Sequence, residues 1–480
     1  MTFRYPKIKL LYDVISLIQG WLFPIFFFYI VRFTSDGTFW ITLKILLGIV
    51  LIVGLFNRFG ETLFTHVEFL DEGAHVYTGV FSKKERFVPK EKFENIQTSA
   101  SIIQKIFRAA QVTMETGDAT GDIELTFVPQ RFVPTLESYI LTANVRPSEE
   151  NEIEPETQQV DKPVRTTLFT PSTTDLLKAS LTSFSFLAIF PVIASLWSDW
   201  KVGEWLPFEV SALPLALIIT LIVLFVILAI AFGIFKTFNA YYRYDISMDD
   251  ERIYVKKGWL SSQSFSIRKE KVQAVIYKQS LYQRLLKVTT IRLISTGEIL
   301  ASEEQQINEF FPYLPTAKAN ELIAQMLPHF TRQQPEHQAS NKAKALIFFR
   351  LPIFSFVVLL GAFWKDIFFY LAAVTLLYTY IARYLQYSHL SFAMNERHLQ
   401  ITTGAFTIET IVTNRPKLIE MECKSSTLQR RFNVMDIHVA NRAKPIHIST
   451  LQDIDEAFRT VFMQWFEARK HDIHYERPSS

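Results

Sequence analysis

One cysteine in 480 residues, Cys423, excludes an internal disulfide framework and fits domains that face a reducing cytoplasm. Glycine is scarce too: 15 residues, where an average chain devotes about 7% of its positions to it. No G-x-x-x-x-G-K-[ST] loop, dinucleotide fingerprint, G-x-S-x-G or H-E-x-x-H occurs, so nucleotide, serine-hydrolase and zinc-protease chemistry have no carrier. A net charge of +3, without a recognition motif, argues against nucleic acid. The remaining titratable groups read structurally. "GDATGD" (117–122) lacks a following Lys-Ser and reads as a hairpin loop, and "HDIH" (471–474) lies in a polar tail. The adjacent acids of "MDDER" (248–252) shape a turn, and His389, His398, His438 and His447 show no ligand spacing. No catalytic, cofactor-binding or metal-binding residue is assigned, no cofactor is expected, and a non-enzyme is the reading.

Apolar residues are abundant instead, at 49%, with 43 Phe. They gather in six runs beginning near Val14, Trp40, Leu181, Ala212, Leu351 and Ile367. The run "ALPLALIITLIVLFVILAIAFGIF" (212–235) has no charge, and about 20 apolar residues span a bilayer core as a helix. The first run is too long for a signal core and meets a second span within a short distance, so it is not cleaved. The last two runs, 351–364 and 367–382, are short and parted only by Lys365 and Asp366, which admits a re-entrant hairpin as well as two crossings. Arg4, Lys7 and Lys9 precede the first span, Lys178 the third, and Lys342, Lys344 and Arg350 the fifth, while the hairpin tips are neutral or acidic. The positive-inside rule then puts both termini and the polar segments in the cytoplasm of a multi-pass cell-membrane protein. Lys44 and Arg350 near span ends can snorkel.

The polar segments repeat. Aligned without gaps on Gly79, Gly258 and Gly404, the position 22 residues on is Ser101, Ser280 and Ser426. Three further on stand Gln104, Gln283 and Gln429, followed by Lys105, Arg284 and Arg430. Apolar matches spaced by two flank the anchor: Val67/Phe69, Ile246/Met248 and Phe392/Met394 upstream, Val112/Met114, Ile291/Leu293 and Ile437/Val439 downstream. That is a half-buried strand pattern. The anchor glycine suits a tight turn at positive φ. The pentapeptides "SIIQK", "SLYQR" and "STLQR" read as short helical turns, with Ser capping, Gln bonding backbone and Arg284 facing solvent or lipid headgroups. A structural corner is preferred here to a ligand site. Each copy closes with a helix: 135–143, 316–327, and a third with Leu451, Ile454, Phe458, Val461, Phe462 and Trp465 on one face, capped by Ser449 and Gln452.

Residues 256–296, "KKGWLSSQSFSIRKEKVQAVIYKQSLYQRLLKVTTIRLIST", with the hairpin before them, resemble the membrane-flanked bacterial pleckstrin-homology-like (PH-like) domains. The triple array is similar to the long YdbT-type members of that family. The third copy departs at "KLI" (417–419), with Pro416 before it, and the first has "KFE" (92–94). The resemblance implies a bent, partly open sheet with a C-terminal helix, and no phosphoinositide ligand. It also implies a link to envelope stress and to tolerance of membrane-active peptides, beside a smaller membrane protein with a single PH-like domain.

The expected fold is therefore an α+β membrane protein: three transmembrane helical hairpins, each followed by a PH-like β-barrel or sandwich capped by a C-terminal helix. The hairpins occupy 1–60, 177–239 and 345–384, and the PH-like domains 61–146, 240–330 and 385–470. An acidic linker (147–176), a second linker (331–344) and a polar tail (471–480) complete the chain. Basic clusters supply candidate membrane or partner contacts: Lys83, Lys84, Arg86, Lys90 and Lys92; Lys256, Lys257, Arg268, Lys269 and Lys271; and Arg284 and Arg430. Each basic residue near an anionic leaflet gains about 1 kcal/mol. The expected function is a non-enzymatic membrane scaffold whose partners are the lipid bilayer and a membrane protein. A transporter is the alternative, disfavoured by spans almost free of acids and by parallel, not inverted, repeats. An enzyme acting on lipid has no nucleophile or acid–base pair.

Overall fold

A computed structural model describes residues 1–26, 29, 37–79, 83–116, 122–143, 165–182, 215–296, 310, 313–350, 352–363, 365–443 and 446–472. The chain divides into two compact units, one of residues 1–163 with 256–266, the other of 164–255 with 267–480. Most of the loop expected at 117–122, most of the linker at 147–176 and nearly all of the third apolar run lie outside the described residues.

In the first unit, helix Thr38–Phe64 stops at Thr65, whose extended backbone (φ −83°, ψ 126°) starts strand His66–Phe69 at once. Strands Gly73–Thr78 and Lys84–Pro89 follow in antiparallel order. A 3-10 turn at Lys90–Lys92 then bends the chain into a second sheet of Phe93–Ala100, Ala109–Thr116 and Ile123–Pro129. Val67, Val76, Val88, Phe93, Val112, Met114 and Leu125 alternate inward from the two sheets into one core. Leu136 and Ile140 of helix Val133–Ala143 close it.

The second unit repeats the plan. Helix Ile367–His389 passes through Leu390 into strands Ser391–Met394, His398–Thr403 and Ile408–Asn414. The turn at Arg415–Lys417 leads to Leu418–Lys424, Val434–Asn441 and His447–Asp455. The middle module contributes Val272–Gln279 and Val288–Ser295 with closing helix Thr316–Met326, and helix Leu215–Tyr241 precedes its first strands. Among the described residues no sheet closes on itself, so each module is an open sandwich and not a barrel. Gly79, Gly258 and Gly404 do sit at positive φ (109°, 101° and 124°), in the turn between second and third strands.

One expectation needs correction. Leu451 and Ile454 lie on strand His447–Asp455, and the third closing helix begins only at Phe458, so Ser449 and Gln452 cap nothing. The ladder is bulged there: Met435 faces Ile454 while Ile437 faces Leu451, so the longer strand holds an extra residue, with Asp453 at φ +53° in the bulge. A bulge lets two core residues three apart share a face, which mimics helical spacing. The fifth apolar run yields a short helix, Ile353–Leu360, in line with the re-entrant alternative. Eight residues rise about 12 Å, under half of a bilayer core.

The sequence pattern missed a further repeat, because two to four residues are too few to show a period. Thr2–Arg4, Thr166–Phe169 and His337–Gln338 each add an edge strand to the first strand of the module that follows. The last two fall in stretches read from sequence as linker.

Lys9, counted among the cytoplasmic cations, is buried. Its Nζ lies 3.2 and 3.1 Å from the Asp13 oxygens and 2.6 Å from Thr62 Oγ1, which itself donates to Asp13 at 2.6 Å. Arg58 bonds Ser16 and Tyr29 bonds the Lys44 carbonyl, so the N-terminal stretch runs antiparallel to helix Thr38–Phe64.

His398 and His447 in the third module have Nε2 atoms with no partner among the described residues. Burial holds both imidazoles below their ordinary pKa, and Arg292 adds to the effect at His447. The folded state therefore favours neutral rings. Their stabilisation is complete above the unfolded value of about 6.5 and declines as pH falls through it. The expected result is a melting temperature that drops between pH 7.5 and 5.5, with a shallower slope in His398→Phe. An unchanged slope would remove these histidines from the account.

Candidate functional site

The pentapeptides form helices Ile102–Ile106, Leu281–Leu285 and Thr427–Arg431, each opened by a complete capping box. In the second, Gln283 N donates to Ser280 Oγ at 3.3 Å and Ser280 N donates to Gln283 Oε1 at 2.9 Å. The buried Gln amide also reaches the neighbouring sheet, at Thr126 O, Thr290 Oγ1 and Asp436 in the three copies. Ser and Gln therefore hold a corner, as the spacing implies.

The basic residue does something else. Lys105 Nζ donates to the Trp259 carbonyl at 2.6 Å, and Arg284 Nη2 donates to the Phe406 carbonyl at 3.0 Å. Both acceptors lie in the glycine turn of the next module. Arg284 does not simply face solvent; it clamps its neighbour.

Beside each clamp the modules share a sheet. Strand Ser262–Arg268 pairs with Phe93–Ala100, Ser262 opposite Ala100. Strand Ile408–Asn414 pairs with Val272–Gln279, Ile408 opposite Gln279. Counted from the anchor glycines, both pairs join position 21 of one module to position 4 of the next. Thus the third strand of each later module adds to the fourth strand of the one before, in a single register. Polar side chains seal the seam. Asn95 bonds Ser266 at the first junction; at the second, Thr413 Oγ1 donates to the Gln273 carbonyl at 2.8 Å and buried Asn441 donates to Thr413 Oγ1 at 2.8 Å. Lys278 pairs with Glu409 at 3.1 Å, but both are well exposed, so this adds at most about 1 kcal/mol. The backbone ladder and buried polar groups carry the junction.

The other candidate cations do not form one patch. Thr78 faces Lys84, level with the end of helix Thr38–Phe64, whereas Gly73 faces Pro89 at the far end of the sheet. Lys83 and Lys84 are thus helix-proximal. Lys90 and Lys92 lie a strand length away, about 17–20 Å for six residues. Arg268, Lys269 and Lys271 occupy the same far corner in the middle module. Lys90 lies over the Tyr139 ring at 5.0 Å, Arg86 donates to the Asp122 carbonyl at 3.0 Å, and Lys257 is buried while Lys256 is exposed. Arg430 is exposed. An open 450 Å³ cleft brings Lys84 and Arg86 together with Glu61, Asp122 and Glu124. Burial, then Asp122 and Glu61, push the Glu124 carboxyl above its usual range. Three acids against two cations make a poor anion site. Among the described residues no group of three His, Cys, Asp or Glu side chains is arranged to hold a metal.

What the helix-proximal end offers is apolar. Ile106 and Leu285, at the same repeat position, are 73% and 81% exposed, and Trp259, Leu281 and Tyr282 are exposed beside them. In the second unit this level is fixed by the helix itself: His389, its last residue, contacts Arg284 Nη1 at 3.3 Å and the Gly404 carbonyl at 3.0 Å. Phe406 stacks on Tyr378 one helical stretch earlier.

The model of the bacterial PH domain matches residues 22–143, 188–329 and 349–462, one match per module and most of the chain. The chain belongs to the bacterial PH domain family. It is also 20% identical to the UPF0699 transmembrane protein YdbT of Bacillus subtilis (strain 168), over 97% of both chains. The repeat anchored on the three glycines is therefore a repeat of bacterial PH domains, each match including apolar sequence ahead of the sheets. Helices Thr38–Phe64 and Ile367–His389 are long and apolar enough to cross a membrane. They enter the first and third PH domains directly.

Proposed function

We propose that the protein is a non-enzymatic, multi-pass membrane scaffold. Its three hairpins hold three cytoplasmic PH domains against the inner leaflet, where they present a surface to a partner membrane protein. The observation that carries this reading is the pair Ile106 and Leu285, large apolar side chains left exposed at the end where a spanning helix meets its module. Burying one such side chain in the acyl boundary is worth about 1.5–3 kcal/mol, more than a screened cation gains. The far-corner lysines lie beyond a Debye length of about 8–10 Å from that level and contribute little to membrane attachment. A role in envelope stress or antimicrobial-peptide tolerance rests on the resemblance alone. Deletion that left sensitivity to such peptides unchanged would remove it.

The test is optical. Leu285→Cys in a Cys423→Ser background, labelled with a polarity-sensitive fluorophore in vesicles, is expected to emit as in an apolar medium and to be quenched by spin-labelled lipid. Emission as in water, quenched by aqueous iodide, would sink the reading. Protection of the same cysteine from an impermeant thiol reagent on intact cells tests the cytoplasmic orientation.

A further inference from the structure

We propose that the two outer sheet edges at the ends of this array join two copies of the chain. Strand Lys84–Pro89 of one copy would pair with strand Leu418–Lys424 of another, by the contact that already joins successive modules. The inference does not depend on how the modules meet the membrane.

Three observations carry it. The first is precedent: both internal junctions add a third strand to the fourth strand of the preceding module, in one register. That leaves one third strand and one fourth strand over. Among the described residues Lys84–Pro89 ends its sheet and Leu418–Lys424 ends its own, with no strand on the outer side of either. Such edges are templates for pairing.

The second is fit. Continuing the internal register puts Glu422 opposite Arg86 and Met421 opposite Phe87, with Glu422 diagonal to Lys84. Opposite-charge and apolar cross-strand pairs both favour a ladder. The one like pair, Lys424 opposite Lys84, is at the strand end, where both side chains are exposed. Charged edges normally block pairing, but these discriminate. Lys84–Pro89 carries two cations and one acid, and Leu418–Lys424 two acids and one cation, so like edges repel and unlike edges attract.

The third is the clamp. Arg430 holds the repeat position of Lys105 and Arg284, both of which grip the following module. It is exposed, and among the described residues nothing engages its side chain.

The contact is head-to-tail, so it builds a ring or an open line of chains and not a two-fold dimer. Two differently tagged copies, both Cys423→Ser, one with Glu422→Cys and the other with Arg86→Cys, should form a mixed disulfide on mild oxidation of native membranes. The control, Glu420→Cys with Lys84→Cys, is four residues out of register, about 13 Å, and should not. Glu422→Arg should abolish co-purification of two tagged copies, and adding Arg86→Glu to the other edge should restore it; the rescue separates a lost contact from a lost fold. Equal cross-linking in and out of register would overturn the proposal. So would a Glu422→Cys chain that captures only a different protein, or no restoration by the charge swap.

Discussion

Replacing Asp13 with Ala is expected to cost the first helix pair about 3–5 kcal/mol, because it strands a buried ammonium. Lys9 and Asp13 side chains are 2% and 5% exposed, and the contacts within reach are each other and Thr62. The Lys9 ammonium also lies 4.6 Å from the Tyr5 ring centre, which softens the loss without replacing a counter-charge. The pair itself need not be a large net gain, since desolvating two ions offsets much of their attraction. That distinction is measurable. Lys9→Met with Asp13→Leu, which removes both charges and keeps volume, should recover most of the melting temperature lost in Asp13→Ala. Thr62→Val should fall between them, at about 1–3 kcal/mol for a lost buried partner. If Asp13→Ala melts like the parent in detergent, Lys9 has another way to reach water and the cluster is misread.

Gly404→Ala is expected to be nearly as damaging, for a different reason. The residue sits at φ +124°, and an added Cβ would lie 1.9 Å from the Thr407 carbonyl oxygen. Gly258 repeats this against Ser261 O, at φ +101° and 1.9 Å. A strained backbone residue costs about 1–3 kcal/mol and forced overlap a similar amount. The obstacle is backbone, so no rotamer change relieves it. Relief must come from the turn, which carries the Phe406 carbonyl gripped by Arg284 and the Gly404 carbonyl met by His389. Gly404→Ala should therefore lower the melting temperature and loosen the junction, seen as faster hydrogen exchange along Ile408–Asn414. Gly20→Ala, where nothing lies within 4 Å, is the control and should leave both unchanged. A Gly404→Ala protein with parental exchange would show that the turn is not what positions the clamp.

The modules were legible because their signals are local. Alternating apolar pairs, a glycine that needs positive φ and a Ser-x-x-Gln capping box each depend on neighbours within a few residues, and each holds in three copies. The clamp was not legible. Lys105 and Arg284 end on main-chain carbonyls 154 and 122 residues away, and a carbonyl has no residue-type signature. The same is true of the seams, where the partner of Val272–Gln279 lies beyond helices Thr316–Met326 and Ile367–His389. His447–Asp455 failed for the opposite reason: a strong local signal, apolar residues three apart, arose from a bulge and not from a helix. Lys9 shows a fourth kind of limit. It was counted by its charge alone, but its burial depends on Thr62, 53 residues on.

One residue, Thr65 or Leu390, is all that separates a long apolar rod from the first strand of its sheet. Such a joint has no slack, so tilting the rod in a thinner or more crowded bilayer must turn the sheet with it. In the second unit that same sheet carries strand Ile408–Asn414, which forms the seam with Val272–Gln279. Two glycines inserted after Leu390 should act as a swivel, and distance changes across the second seam on altering acyl-chain length should vanish with them.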